Sequence, residues 1–324
     1  MKAYVYGANG AEITDVAKPS PKASQVLVRV RACGLNRADL GMTKGHVHGS
    51  AGGAGTVLGM EWAGEVAEVG ADAKGVVVGD RVMGSGGAAF AEYTLADHGR
   101  LFHIPSKANM SFEDAATLPV ALATMHNAVV TNGALQPGQT VLIQGASSGV
   151  GLMAMQIAKL KGARTVIGSS TDAMRRGRLK EFGADLAVDS SDPGWVDQVL
   201  KATGGEGVDL IVDQVSGPVA NQNLKATRVK GRIVNVGRLG GTHGDFNFDL
   251  HAARRINYIG VTFRTRSIEE IREIFNEVRN DIWPAVESRK LQLPIDKVFS
   301  FDDIGKAFEH MEANKHLGKI VVTL

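Results

Sequence analysis

Between residues 140 and 162 the chain reads TVLIQGASSGVGLMAMQIAKLKG, and no other stretch limits the possible folds as strongly. Val141, Leu142 and Ile143 make a short apolar run of the kind that forms a fully buried strand. The run breaks at Gly145 and Ala146. From Val150 the apolar spacing changes to three or four residues, through Ala154, Ile157 and Ala158, so the pattern predicts strand, tight turn, helix. Ala146, Ser147, Ser148, Gly149, Val150 and Gly151 fill the six places of G-x-G-x-x-G, with Ala146 and Ser148 in the first two glycine places. Small residues there let backbone approach a pyrophosphate, and the amides that open the helix meet its charge where the macrodipole is positive. The six-residue pattern is a weak signal by itself. With a strand before it and a helix after it, it reads as a dinucleotide site in preference to a bare structural turn.

The segments after the turn repeat the same alternation. Strands are predicted at 165–168, 186–188, 208–213, 232–236 and 258–263, and helices at 173–182, 195–203 and 219–227. Short apolar strands alternating with helices imply a parallel sheet covered on both faces, an α/β doubly wound domain over 119–266. Before it, residues 1–118 are rich in glycine and β-branched side chains. Alternation at 25–31 and 63–70 marks half-buried strands of a compact β-rich domain. After it, 267–324 carries two amphipathic helices, near 268–278 and 304–311, and a last strand, 319–324, placed to return to the first domain. Residues 44–55 (KGHVHGSAGGAG) form a glycine-rich loop holding His46 and His48, read as a flexible lid in preference to a metal site.

Charge and cysteine content exclude several classes. Lysine plus arginine number 36 against 34 acidic residues, so no field favours nucleic acid or an anionic membrane. No apolar run is long enough to span a bilayer and no leader pattern opens the chain, which points to a cytoplasmic protein. Cys33 is the only cysteine, which rules out an internal disulfide and a zinc site built on several thiolates. It is read as a small core residue, with a reactive thiol as the other reading.

GLNRADL (34–40), GMEWAGEVAEVG (59–70), VGDRV (78–82), FAEY (90–93), ATLPVALAT (116–124), GASSGVG (145–151), TGGEGVDLIVD (203–213) and LGKIVV (317–322) follow one another in this order. Together they resemble the medium-chain dehydrogenase/reductase superfamily, and within it the zinc-independent quinone oxidoreductase, or zeta-crystallin-like, branch. The resemblance implies a GroES-like β-rich catalytic domain formed from 1–118 and 267–324, a Rossmann domain over 119–266, and an active site in the cleft. It also implies a homodimer, with 257–263 as the candidate edge strand. In zinc-dependent relatives the position of Asn36 is a cysteine ligand and that of Met60 a histidine ligand. An amide and a thioether do not replace them. Glu61 is then a structural acceptor or part of the cleft wall. Gly41 stands where quinone oxidoreductases often carry a tyrosine.

An NAD site usually places an acidic residue about twenty residues past the glycine turn, and here that place holds Ser170. Ser169 and Ser170 can donate to a 2′-phosphate and Arg175 can add a charge-assisted contact, so NADPH is the expected cofactor. Asp172 is read either as a ribose contact or as a helix N-cap. Gly237 and Arg264 join the cofactor candidates. Arg264 and Arg266 are equally well read as solvated residues at a helix start. Without zinc, the implied chemistry is hydride transfer from NADPH to a small electrophilic acceptor, a quinone or an α,β-unsaturated carbonyl. By their family positions Asn36 and Thr124 are the catalytic candidates, as donors near the nicotinamide. Alternatives are an enoyl-thioester reductase of the same superfamily and a non-enzymatic NADPH-binding adaptor. A short-chain dehydrogenase is excluded, because Tyr4, Tyr6, Tyr93 and Tyr258 are followed four residues on by Ala8, Gly10, Asp97 and Thr262, never lysine.

Overall fold

The computed structural model describes residues 1–49 and 51–324. Ser50, inside the glycine-rich loop read above, lies outside the described residues. Contacts divide the chain into two units, Met1–Ala123 with Phe263–Leu324, and Thr124–Thr262.

The central unit is built on a six-stranded sheet. Its spatial order is Leu186–Val188, Thr165–Ser169, Thr140–Gln144, Val208–Asp213, Thr227–Asn235, Asn257–Gly260, and every neighbouring pair is parallel. In chain order this runs third, second, first, fourth, fifth, sixth, the order of a doubly wound nucleotide-binding sheet. All residues of Thr140–Gln144 and of Val208–Asp213 are buried, because both faces of a central parallel strand are covered. Between these two strands the winding reverses direction. Chain segments therefore diverge there at the carboxyl edge, which opens the crevice where such sheets take ligands.

The other unit joins both ends of the chain in one seven-stranded sheet. Its main path runs Leu101–His103, Arg81–Ser85, Glu61–Val69, Gln25–Gly34, Lys319–Thr323 and Ile295–Ser300, and Tyr93–Asp97 pairs with Gln25–Gly34. The last strand lies antiparallel to Gln25–Gly34, with Val321 opposite Gly34. Apolar alternation supplies the core, in which Val26, Val28, Val30, Trp62, Phe90 and Val322 meet Phe308 and Met311 of the helix Ile304–Glu312. Helix Ile268–Asp281 opens on a capping box of Ser267 and Glu270 and buries Ile271, Ile274, Phe275 and Val278.

Several predicted bounds are corrected. The strand expected over 258–263 pairs only as Asn257–Gly260, since its neighbour ends at Asn235. The helix expected over 173–182 is α-helical to Arg178 and finishes as a 3₁₀ turn, Leu179–Phe182, before Gly183 at φ +99°. That expected over 219–227 is a 3₁₀ turn, Gly217–Val219, followed by the helix Ala220–Ala226. Within 44–55, Val47–His48 pairs antiparallel with Ala51–Gly52. Helices Phe248–Arg254 and Trp283–Glu287 and the strand Ile295–Ser300 were not anticipated.

Candidate functional site

Chemistry-bearing residues gather in two places, one in each unit. In the central unit the turn between Thr140–Gln144 and the helix Gly149–Leu160 sits at the reversal point of the sheet. Gly145 takes φ +71°, which only glycine adopts cheaply. Ser148 is the helix N-cap, and its hydroxyl accepts from the Gly151 amide at 3.1 Å. The same oxygen lies 2.9 Å from the Gly145 carbonyl and 2.8 Å from Gln214 Oε1, while Gln214 Nε2 donates to the Gln144 carbonyl at 3.2 Å. Gln214 thus ties the loop after the fourth strand to the turn after the first. At Gly151 a β-carbon would fall 2.7 Å from Ala146 Cα and from the Ala146 and Gly145 carbonyl oxygens. At Gly237 it would fall 2.7 Å from the Gln214 carbonyl. Helix start and loop are packed backbone to backbone, and the first-turn amides of Gly149 and Val150 have no acceptor within the helix. This is a cradle suited to a pyrophosphate.

Beneath it runs a buried polar chain. Gln144 Nε2 donates to Asn223 Oδ1 at 2.8 Å, and Asn223 Nδ2 donates to Asp213 Oδ2 at 3.1 Å. Asp213 Oδ1 accepts from the amides of Val215 and Ser216 at 2.8 and 2.9 Å. Burial nevertheless pushes the Asp213 carboxyl above its ordinary range. Ser216 holds φ +60°, ψ −153°, a region costly for a residue with a β-carbon, and its hydroxyl donates to the Gly237 carbonyl at 2.6 Å.

Ser169 ends the second strand. Ser169 is fully buried. Its hydroxyl donates to Gln144 Oε1 at 2.5 Å and accepts from the Gly145 amide at 3.0 Å, so Ser169 braces the turn from inside. Ser170 Oγ lies 3.1 Å from Ser147 Oγ. Asp172 is the N-cap of Ala173–Arg178, accepting from the Arg175 amide at 2.8 Å, and that bond leads the causes that lower its carboxyl below the ordinary value. Arg175 Nε is buried, makes no hydrogen bond and stands 3.6 Å from Asp172 Oδ1. Arg176 is a brace, donating to the Ser170 carbonyl and to Asp189 at 2.8 and 2.9 Å. Thr124 is half-buried on the helix Pro119–His126.

In the other unit Asn36 sits at the start of the helix Arg37–Met42, held to it by its amide donating to Asp39 Oδ2 at 2.8 Å. Its side-chain Nδ2 donates to Glu61 Oε1 at 2.9 Å and lies 3.4 Å from the Gly34 carbonyl. Its Oδ1 accepts from Lys319 Nζ at 3.0 Å. Lys319 also donates to Glu61 Oε1, and the Val120 amide donates to Glu61 Oε2 at 3.0 Å. Glu61 and Asp39 are fully buried and the Lys319 side chain is 5% exposed. Burial raises the Glu61 carboxyl against the pull of Lys319, and raises Asp39 to about 7. Asp39 Oδ1 is buried without a hydrogen bond.

This donor set does not suit zinc. It offers an amide already bonded on both sides and a carboxylate already paired with an ammonium. Among the described residues no three of His, Cys, Asp and Glu converge as metal ligands, His46 and His48 included. His48 is half-buried, and burial, then the Arg264 charge, lowers its imidazole below its ordinary value. Arg264 itself is exposed. Cys33 is a core residue whose thiol donates to the Ala89 carbonyl at 2.9 Å and is pushed up by burial. Lys319, Asp39 and Gln214 were missed in the sequence. The one available signal was a lysine interrupting the apolar run LGKIVV.

Residues 22–106 match the family described as alcohol dehydrogenase GroES-like domain, and residues 149–280 match that described as zinc-binding dehydrogenase. Mouse (Mus musculus) quinone oxidoreductase-like protein 2 is 30% identical over 313 residues, which is 96% of this chain and 88% of that protein. A phenolphthiocerol/phthiocerol polyketide synthase polypeptide of Mycobacterium tuberculosis is 31% identical over 314 residues, 96% of this chain, but the chain spans only 14% of that protein's length. The crystal structure of CurK enoyl reductase superposes with a TM-score of 0.87 at 26% identity, covering 99% of each chain.

Proposed function

The chain belongs to the medium-chain dehydrogenase/reductase superfamily, in its quinone oxidoreductase branch, and from that premise we propose that it transfers hydride from NADPH to a quinone or an α,β-unsaturated carbonyl without zinc. The observation that carries the reading is the cradle of Gly145, Ala146, Ser147, Ser148, Gly149, Val150 and Gly151 at the reversal point of the parallel sheet. The turn and the first helical amides would hold the pyrophosphate, and Gly237 leaves room for the loop beside Gln214. Preference for the 2′-phosphate is supported by Ser170 and by the guanidinium of Arg175, which stands 3.6 Å from Asp172 at the end of the second strand. The nearby acid, Asp172, is engaged as a helix cap. Ser169 is not proposed as a direct contact, because its hydroxyl is used within the fold.

When bound, NADPH supplies a hydride that a conjugated carbon can accept. The chain's own residues bind, orient and donate. Asn36 has one amide hydrogen committed to Glu61, while the other faces the Gly34 carbonyl at 3.4 Å, a weak contact that a developing oxyanion can replace. Thr124 remains the second catalytic candidate. A homodimer through the edge strand Asn257–Gly260 is part of the same reading, since Tyr258 on that strand is exposed.

Likeness to CurK enoyl reductase and to a polyketide synthase favours a second reading, reduction of an enoyl thioester by the same hydride chemistry. A turnover screen with chelator-treated protein separates the readings. NADPH and NADH are offered with a quinone, an enone and an enoyl thioester, and NADP+ with simple alcohols. NADPH oxidation by quinone or enone at an undiminished rate is expected, with alcohols poor. Activity lost on chelation and restored only by zinc would overturn the reading, and tight NADPH binding without turnover would leave an adaptor role.

A further inference from the structure

We propose that Lys319 is the built-in cation of the Asn36 site, a positioning residue that replaces a metal ion electrostatically and fixes which way the Asn36 amide points. The Lys319 ammonium lies within hydrogen-bond reach of both Asn36 Oδ1 and Glu61 Oε1. An ion held by these same two oxygens would need the space the ammonium fills. Lys319 is the first residue of the strand Lys319–Thr323, which pairs with Gln25–Gly34 only two residues before Asn36. The ammonium is thus fixed by the sheet and not by a mobile tail. Gly34 has no room for a side chain, since a β-carbon there would fall 2.4 Å from the Ala116 carbonyl and 2.8 Å from Glu61 Oε1.

Stability alone does not explain such a pair. Desolvating a lysine and a glutamate costs about what their attraction returns, and a well-packed apolar pair commonly does as well. Asn36 supplies what is missing from that account. An asparagine amide can turn end for end, and the ammonium distinguishes its two ends: Oδ1 must face Lys319 and Nδ2 must face Glu61 and the Gly34 carbonyl. The donor hydrogen of Asn36 is thereby given one direction. The proposal rests on the reading that this donor serves an acceptor in hydride transfer.

The test uses the full chain with Lys319→Met, Lys319→Arg and the double variant Lys319→Met/Glu61→Gln, which removes both charges and guards against misfolding of the single one. The first readout needs no activity: hydrogen exchange of the Asn36 side-chain amide in 15N-asparagine-labelled protein, its signal assigned by its loss in Asn36→Asp. Lys319→Met and the double variant are expected to speed that exchange at least about tenfold, and Lys319→Arg to keep it slow. The second readout is quinone turnover beside NADPH affinity. Both variants lacking the ammonium are expected to lose kcat by roughly 10- to 100-fold with NADPH affinity held within about twofold, and Lys319→Arg to recover most of the loss. Unchanged Asn36 exchange without the ammonium would overturn the proposal. So would recovery of full turnover in the double variant, because Lys319 would then serve only to neutralise Glu61. If the wild type turns over no acceptor while Asn36 exchange responds as described, the hydride-transfer reading falls and the positioning role stands.

Discussion

Asp39 offers a test of the buried cluster that depends on neither cofactor nor substrate. Its carboxyl is fully buried, receives one bond from the Asn36 amide, and leaves Oδ1 without a partner. Burial is the largest influence and raises the carboxyl from its ordinary 3.8 to about 7; the Asn36 bond and the Lys319 charge pull it down, and Glu61 adds to the rise. The folded protein therefore holds this proton more tightly than the unfolded chain does. Stability from this group is fully present below pH 3.8, declines as pH rises, and is lost once pH passes 7. At 1.36 kcal/mol per pH unit, ionising Asp39 in place costs about 4 kcal/mol by pH 8. Asparagine at 39 keeps an acceptor for the Asn36 amide and removes the charge. Urea unfolding from pH 4 to 8 checks it in a Trp195→Phe background, where the remaining tryptophans, Trp62 and Trp283, both belong to the unit that holds Asp39. Asp39→Asn should gain on its parent from about pH 4 to pH 7, by about 1.4 kcal/mol per pH unit, and the gain should level off above pH 7 at about 4 kcal/mol. A constant difference across that range would mean that Asp39 ionises like an exposed carboxyl, and the reasoning from burial would fail.

Two further outcomes concern the nucleotide cradle. Arg175→Ala should weaken NADPH by roughly 10- to 100-fold and leave NADH nearly unchanged in fluorescence titrations, as loss of one charge-assisted contact implies; equal losses would remove Arg175 from the 2′-phosphate. Gly151→Val should abolish binding of both cofactors, because its β-carbon would press on Ala146 Cα from 2.7 Å and drive the helix off the turn. Ordinary affinity in a folded Gly151→Val protein would place the phosphates elsewhere.

The central sheet was legible because its strands are continuous apolar runs and its helices carry period-3.6 stripes, each signal local in the chain. The missed elements lack such signals. Helix Phe248–Arg254 has no fully buried residue, so no stripe marks it, and its start is set by Asn247 accepting from the Leu250 amide. The strand Ile295–Ser300 is mostly exposed and is recognisable only through its parallel pairing with Lys319–Thr323. The run 258–263 misled in the other direction, since its apolar content outlasts the neighbouring strand that ends at Asn235. The Asn36 cluster was half legible for a related reason. Asn36 and Glu61 stand in recognisable segments, but Lys319 reaches them only through tertiary structure, 283 residues from Asn36 along the chain.

The glycine turn itself shows why a degenerate motif can still work. Of the three glycine places in G-x-G-x-x-G, only the third, Gly151, is glycine here, and it is the place where a β-carbon would strike backbone. The tight bend demanded of the first is made one residue earlier, by Gly145 at φ +71°, so Ala146 can carry its methyl into the core. The second place holds Ser148 in extended backbone, φ −73°, ψ 156°, which needs no glycine and adds a hydroxyl cap for the helix. That hydroxyl also meets Gln214, so the serine links the two sides of the crevice in a way glycine does not. Ser148→Gly should therefore keep the turn open to phosphate yet loosen its hold on the loop after the fourth strand. The expected result is cofactor affinity reduced by about five- to tenfold, the worth of roughly one hydrogen bond. Gln214→Leu should give a similar loss, and the double variant no more than either alone, since both remove the same link. Losses that simply add would mean that Ser148 and Gln214 act separately, and the bridge across the crevice would carry no share of binding.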